Sequence, residues 1–194
     1  MDRIVRRFPQ PDPYSFCGGS RVLSVAFTGY RPQKMPFGYD ERDPRCLDFK
    51  ARLESFIEML MMEGYTHFIV GGALGTDMYA AEAVLRLRRR YPRVTLEVAV
   101  PFDAQATRWP AASQARYYAM LEAADVLTYV NHAYTPDCML ARNHYMVTHS
   151  DLLVAVYDGQ NGGTAATISM ARQLQKPISV IPPVVGQNAM RRTA

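Results

Sequence analysis

Short apolar runs alternate with longer amphipathic segments along most of this chain. Apolar runs bounded by turn residues are typical of strands that are buried on both faces of a sheet. The pattern predicts strands at residues 22–27, 67–70, 94–100, 125–130, 151–157 and 177–181. Apolar side chains at helical spacing predict the intervening helices, one from Pro44 to near Gly64, one ending before Pro92, and others at about 110–123, 139–149 and 164–175.

This alternation predicts an α/β protein with a three-layer Rossmann-like fold, in which helices cover both faces of a mostly parallel sheet of about six strands. Neither a repeat nor a low-complexity linker interrupts the pattern, so residues 21–182 are expected to form one domain. Residues 1–20 carry several prolines and are expected to form an irregular N-terminal arm. Residues 183–194 are expected to form a loose C-terminal tail.

Glycine-rich segments follow the predicted strands at three places. They are TGYR at 28–31, GGALGTD at 71–77 and DGQNGGT at 158–164. In a parallel sheet these connections all lie at the carboxyl ends of the strands, and ligands bind there in the crevice where the strand order reverses. We therefore expect the three segments to converge on one crevice, which is a stronger signal than any single glycine motif.

Each of these segments has two interpretations. Glycine permits a tight turn between a strand and a helix, and it equally lets backbone amides at a helix start approach a phosphate. Thr164 could cap its helix and donate to phosphate, and Arg31 could clamp a phosphate or simply lie on the surface. Asp77 and Asp158 are candidates for contacts with ribose or base. GGALGTD is not a Walker loop, because it lacks the lysine.

Composition restricts the class of protein more than its function. Hydrophobic residues make up 48% of the chain and charged residues 21%, which is ordinary for a globular protein. No apolar run approaches the roughly 20 residues of a membrane helix, so no membrane partner is expected. The three cysteines are far apart and odd in number, which argues against a disulfide framework and favours a cytoplasmic location. A net charge of +4 permits an anionic ligand without indicating nucleic acid.

The sequence gives no indication of a nucleic-acid surface, a metal site or a serine hydrolase. The basic run at 86–93 suits cations at a helix C-terminus better than a nucleic-acid surface. His144 and His149 lack the spacing of a zinc motif, so no metal site is expected. The GxSxG motif of serine hydrolases is absent from the chain.

Five motifs follow one another in a fixed order, namely TGYRPQKM, GGALGTDMYAAE, QATRW, MLARNHYM and GGTAAT. Their order and spacing resemble the SLOG superfamily, which joins the DNA-processing protein A and Lonely Guy groups. The match is closest to its YspA/YpsA-like branch and covers about residues 22–182. The resemblance implies a Rossmann-like fold that binds a nucleotide or nucleotide-derived ligand, with a sensor or regulatory role.

The Lonely Guy group releases a base from a nucleoside monophosphate, using an arginine on one helix and a glutamate in a PGGxGTxxE loop. Arg142 resembles that arginine, and Gly162, Gly163 and Thr164 resemble part of the loop. Thr167 stands where the glutamate is expected, and a hydroxyl cannot replace a carboxylate as general base. Phosphate binding is therefore the expectation and N-glycosidic hydrolysis the alternative, with Arg142 as the candidate catalytic residue. The DNA-processing group implies a second alternative, single-stranded DNA binding.

The predicted site thus takes a small-molecule nucleotide ligand and needs no further cofactor. Gln105 and Trp109 are expected at its rim, although Trp109 could equally anchor the core. The apolar helices at 110–123 and 139–149 could support a homodimer. The predicted ligand-binding residues are Thr28, Gly29, Arg31, Gly71, Gly72, Gly75, Thr76, Asp77, Arg108, Arg142, Asn143, Asp158, Gly162, Gly163 and Thr164.

Overall fold

A computed structural model describes residues 4–7 and 21–185, and these ranges form a seven-stranded sheet with five α-helices. The strands are β1 (Ile4–Arg7), β2 (Leu23–Gly29), β3 (Tyr65–Val70), β4 (Thr95–Val100), β5 (Val126–Tyr129), β6 (Leu152–Val156) and β7 (Ile178–Ile181). The helices are α1 (Pro44–Met62), α2 (Thr76–Leu87), α3 (Ala111–Ala123), α4 (Cys138–Thr148) and α5 (Gly163–Gln173). The predicted three-layer α/β class and the order of its elements are confirmed.

The strand order is β1-β5-β4-β3-β2-β6-β7, and every neighbouring pair is parallel. From β2 the chain moves outward through β3, β4 and β5, and it then returns to the other side of β2 for β6 and β7. Parallel crossovers keep one hand, so this reversal transfers the later helices to the opposite face of the sheet. The reversal lies between β2 and β6, which is where a doubly wound sheet opens a crevice.

The hydrophobic core has two parts, one on each face of the sheet. Phe27 and Phe68 point to the face covered by α1, α2 and α3, and their rings stack with centroids 6.3 Å apart. Their neighbours along the strands, Ala26 and Ile69, point to the other face, where they pack against Met146 and other residues of α4 and α5. This alternation follows from the period of two along a strand.

The sequence signals that begin the first helix act as predicted. The side chain of Asp43 accepts a hydrogen bond from the amide of Arg45 at 2.8 Å, and Pro44 occupies the first helical position. Helix α1 ends at Met62, two residues before Gly64, which has a φ of 94°. That left-handed conformation stops the helix without cost only because the residue is glycine.

The ends of the chain differ in part from the prediction. Ile4–Arg7 form the edge strand β1, which pairs with β5, so this part of the predicted irregular arm is instead a strand. The run IVRR has too few apolar residues to be recognised as a strand from its pattern, and only pairing with β5 reveals it. The rest of the predicted arm (1–3 and 8–20) and residues 186–194 of the predicted tail lie outside the described residues.

No helix within the described ranges is long and apolar enough to cross a membrane. Over the same ranges no cluster of three or more His, Cys, Asp or Glu side chains has the arrangement of a metal site.

Candidate functional site

A cavity of about 360 Å³ lies outside the carboxyl ends of β2 and β6, at the reversal of strand order. Four parts of the chain line it: the end of β2 with its following loop, the start of α2, one face of α4 and the start of α5. The three glycine-bearing connections identified in the sequence all reach this region. Its position agrees with the general location of ligand sites in doubly wound sheets.

Arg142 is the most deeply buried cation of the cavity, with a relative exposure of 6%. Its Nη1 donates a hydrogen bond to the carbonyl of Gly71, and its Nε donates to Oδ1 of Asn143 at 2.8 Å. None of the described residues accepts a hydrogen bond from its Nη2. Because a buried guanidinium loses its hydration, an arginine in the lining of a cavity favours an anionic or carbonyl-bearing ligand there.

Asp77 is the carboxylate of the cavity and lies beside this arginine. Its Oδ2 is 3.7 Å from Nη1 of Arg142 and accepts a hydrogen bond from the amide of Ala73 at 3.1 Å. Burial raises the pKa of the Asp77 carboxyl above its ordinary value, and the Arg142 guanidinium and the Ala73 amide offset this only partly. The site therefore contains a carboxyl group that holds its proton more strongly than an exposed aspartate does.

The start of α5 forms the open wall of the cavity. Gly162 precedes the helix with a φ of 146°, and a side chain at Gly163 would meet no atom within 4 Å. Lys34 reaches over this helix start, where its Nζ donates to the carbonyl of Asn161 at 2.8 Å. Amides at a helix start carry partial positive charge, so the lysine and the helix together favour an anion at this wall.

The GGALGTD loop has a different part in the site. The amide and the hydroxyl of Thr76 both donate to the carbonyl of Tyr30, at 3.2 and 3.1 Å. Gly75 has a φ of 92°, and a Cβ there would lie 2.6 Å from the same carbonyl oxygen. Here the start of the helix is capped by the neighbouring loop, so the close approach that glycine permits is an approach of two protein segments.

Nine of the predicted ligand-binding residues line the cavity. They are Thr28, Gly29, Arg31, Asp77, Arg142, Asn143, Gly162, Gly163 and Thr164. Gly71 and Gly72 lie directly behind it, since their carbonyls accept hydrogen bonds from Arg142 and Gln105. Gly75 and Thr76 pack against Tyr30 as described above.

Asp158 and Arg108 are not among the lining residues. Oδ1 of Asp158 accepts a 2.5 Å hydrogen bond from the hydroxyl of Tyr30, and Arg108 is exposed. Trp109 packs edge-on against Tyr117 with ring centroids 5.3 Å apart, which agrees with the interpretation of this residue as a core anchor. Thr167 also lies outside the lining, and its hydroxyl accepts from Asn143 and donates to the carbonyl of Gly163.

The sequence analysis did not select seven further lining residues. Gln33 and Lys34 belong to the motif TGYRPQKM, and their place in the cavity follows from the 3-10 turn at Pro32–Lys34, which turns the chain back over the site. Met139 and Met146 share one helical face with Arg142 and Asn143, a spacing that could have identified them. The other lining residues not selected are Phe27, Tyr30 and Ala73.

Comparison with known proteins shows the family to which the chain belongs. The sequence model of the YspA SLOG family matches residues 25–181, which run from within β2 to the end of β7. The chain belongs to the YspA SLOG family. A UPF0398 protein of Halalkalibacterium halodurans is 31% identical over 162 residues, covering 80% of this chain and 85% of that protein. An uncharacterised prophage-derived protein of Bacillus subtilis, YoqJ, is 34% identical over 145 residues, covering 68% and 85%.

Two solved structures share the fold of this family member. DNA processing protein A from Streptococcus pneumoniae superposes with a TM-score of 0.61 at 16% identity, covering 86% of this chain and 52% of that chain. DNA processing protein A from Helicobacter pylori, whose single-stranded DNA binding mode is known from its structure, superposes with a TM-score of 0.56 at 21% identity. The match covers 82% of this chain and 65% of that chain. This chain therefore spans only about half to two thirds of the length of those proteins.

Proposed function

We propose that the protein binds a nucleotide or nucleotide-derived ligand in the cavity between β2 and β6. The observation that carries the proposal is Arg142, a buried guanidinium that lines this cavity and whose hydrogen bonds, among the described residues, go only to neutral groups. Among the described lining residues, Arg31 and Lys34 add two further cations, and Asp77 is the one carboxylate. An anionic group is the complement of such a lining.

The remainder of the lining favours an organic phosphate over a bare anion. Phe27, Met139 and Met146 contribute apolar surface next to the cations, and such a combination suits a ligand with a flat base and a charged group. The volume of about 360 Å³ is near the lower end of small-molecule pockets, which are roughly 300–1,000 Å³, so one nucleotide-sized molecule fits the space. Family membership supports the same class of ligand, with a sensor or regulatory role.

Thermal shift with a ligand panel tests this proposal. Nucleoside monophosphates, cyclic nucleotides, ADP-ribose and NAD are each added to the purified protein. At least one of them is expected to raise the melting temperature, because a ligand at 100 times its Kd adds about 2.7 kcal/mol to the free energy of unfolding.

The variant Gly163→Phe is expected to fold normally, since nothing lies within 4 Å of its Cβ position, and to lose the shift in melting temperature. Ala166→Phe, on an exposed position of the same helix, is the matched control and should keep it. Absence of any stabilising ligand, or a full shift in Gly163→Phe, would contradict the proposal.

A second candidate function, N-glycosidic hydrolysis of a nucleoside monophosphate, is favoured by the position of Asp77. The glutamate expected from the Lonely Guy resemblance is missing, but Asp77, in the first turn of α2, brings a carboxyl group to 3.7 Å from Arg142. Because burial raises its pKa, this carboxyl could donate a proton to the departing base as the N-glycosidic bond breaks. The attacking water would then add its hydroxyl to the ribose carbon and return a proton to the Asp77 carboxylate.

Release of free base from nucleoside monophosphates, followed by chromatography, tests this second function. If it is correct, Asp77→Asn should lower the release rate at least about 100-fold, as expected for loss of a general acid, and should still bind ligand. Asp103→Asn, an exposed carboxylate outside the lining, is the control. Binding without any release by the wild-type protein would reject hydrolysis and leave the binding function intact.

Single-stranded DNA binding is supported here only by the likeness of fold to DNA processing protein A. An oligonucleotide included in the same panel provides the test, because binding through phosphate contacts weakens steeply as salt concentration increases.

A further inference from the structure

Tyr30 connects the two glycine-rich loops that flank the cavity. It follows directly after β2, is only 2% exposed and lines the cavity itself. Its backbone and its side chain contact different loops, so one residue links connections that are far apart in the sequence.

The backbone carbonyl of Tyr30 fixes the GGALGTD loop. It accepts hydrogen bonds from both the amide and the hydroxyl of Thr76, the first residue of α2. Gly75 allows this approach, because a Cβ there would lie 2.6 Å from the carbonyl oxygen. The start of α2 is thereby held against the end of β2.

The side-chain hydroxyl of Tyr30 fixes the DGQNGGT loop. It donates to Oδ1 of Asp158 at 2.5 Å, and its oxygen accepts from the backbone amides of Asp158 and Gln160 at 3.4 and 3.3 Å. Burial and the hydrogen bond to Asp158 raise the pKa of Tyr30 to about 12, so the hydroxyl keeps its proton at neutral pH. Gly159 and Gly162 in this loop both have positive φ, and Lys34 also restrains the loop by donating to the carbonyl of Asn161.

We propose that Tyr30 is a positioning residue of the ligand site, which holds the amides at the start of α5 in place for a phosphoryl group through its hydrogen bond to Asp158. This inference rests on the proposed binding function. It assigns to Asp158 a role in ordering the loop instead of a contact with ribose or base. The geometry of the phosphate wall then depends on a hydroxyl group that comes from the loop after β2.

Four variants test the inference by affinity measurements with the ligand identified in the panel and with the same compound lacking its phosphate. Tyr30→Phe keeps the buried ring and the carbonyl, and is expected to weaken binding of the phosphorylated compound about tenfold, the effect of losing one charge-assisted hydrogen bond. Binding of the phosphate-free compound should change little. Asp158→Ala should match Tyr30→Phe, the double variant should be no weaker than either, and Asp158→Asn should retain most of the affinity because Oδ1 remains an acceptor.

Hydrogen exchange provides a readout that needs no ligand. Amides of residues 158–164 are expected to exchange faster in Tyr30→Phe and in Asp158→Ala, while those of α1 are unchanged. Tyr91→Phe, which loses a comparable hydrogen bond to Glu58 away from the cavity, is the matched control and should alter neither exchange in this loop nor affinity.

The two proposals fail in different ways in these experiments. If the wild-type protein binds no member of the panel, the proposed function is wrong, and exchange alone decides whether Tyr30 orders the loop. If the wild-type protein binds and Tyr30→Phe binds equally well, with unchanged exchange at 158–164, the positioning role is wrong and the binding function stands. Equal weakening for both compounds would indicate a general structural role and also overturn the inference.

Discussion

Gly71→Ala is expected to lower the free energy of unfolding by about 3 kcal/mol and to abolish ligand binding. A Cβ at this position would overlap the guanidinium of Arg142, with its Nε only 2.9 Å away. The φ of Gly71 is not positive, so alanine introduces no backbone strain and the effect comes from displacement of the arginine alone. A displaced Arg142 loses its hydrogen bond to the Gly71 carbonyl and its position beside Asp77, so a buried charge loses both of these partners.

Urea denaturation and the thermal-shift panel measure the two effects of Gly71→Ala. Gly163→Ala is the matched control for the stability measurement, because its Cβ would meet nothing within 4 Å, and removing a glycine at such a position typically stabilises a protein by about 0.4–1 kcal/mol. A Gly71→Ala protein with wild-type stability and wild-type binding would show that the Arg142 side chain adopts another position without cost. Arg142 would then not be a ligand-binding residue of the proposed site.

Glu97→Gln is expected to destabilise the protein by a similar amount, about 3 kcal/mol, by disrupting a buried polar network around β4. Glu97 is 1% exposed in the middle of β4. Its carboxylate accepts hydrogen bonds from Thr128 and Tyr145, both at 2.6 Å, and lies 2.7 Å from Nε2 of His67. The amide of glutamine has the same volume but presents a donor in place of one oxygen and no charge, so this buried network cannot be satisfied in full.

The acid dependence of stability supplies the measurement. Burial alone would raise the pKa of Glu97, but the hydrogen bonds from His67, Thr128 and Tyr145 outweigh it and lower the pKa from 4.5 to about 2. A carboxyl group with a lowered pKa in the folded state stabilises the protein above its unfolded pKa, and this contribution is lost as the pH falls through the folded pKa. The difference in unfolding free energy between wild type and Glu97→Gln should therefore be largest above pH 4.5 and shrink between about pH 4.5 and 2.

Glu63→Gln, an exposed carboxylate just after α1, is the control and should change stability little. A wild-type protein whose stability advantage over Glu97→Gln stays constant down to pH 2 would contradict the assigned pKa. The network also bears on the site, because Tyr145 anchors α4 to the sheet and Arg142 projects from the same helix one turn earlier. Glu97→Gln is thus expected to weaken ligand binding as well, to a smaller extent than Gly71→Ala.

The elements of the fold could be predicted from the sequence because their signals are local. Apolar alternation and spacing depend on neighbours within a few positions, as do the cap at Asp43 and the stop at Gly64, and all of them are found in the structure. Strand β1 could not be predicted, since a short edge strand is defined by the partner with which it pairs. The order of the strands is likewise a property of long-range pairing.

The sequence also predicted that glycine-rich loops converge on one crevice, because a parallel sheet brings its strand ends to one edge. What it could not determine is the use to which each loop is put. GGALGTD and DGQNGGT look alike as motifs. In the structure, however, the hydroxyl of Thr76 donates to the carbonyl of Tyr30, whereas Gly163 faces open space. The burial of Arg142, the reach of Lys34 and the partner of Asp158 depend on contacts between distant segments, so only the tertiary structure decided them.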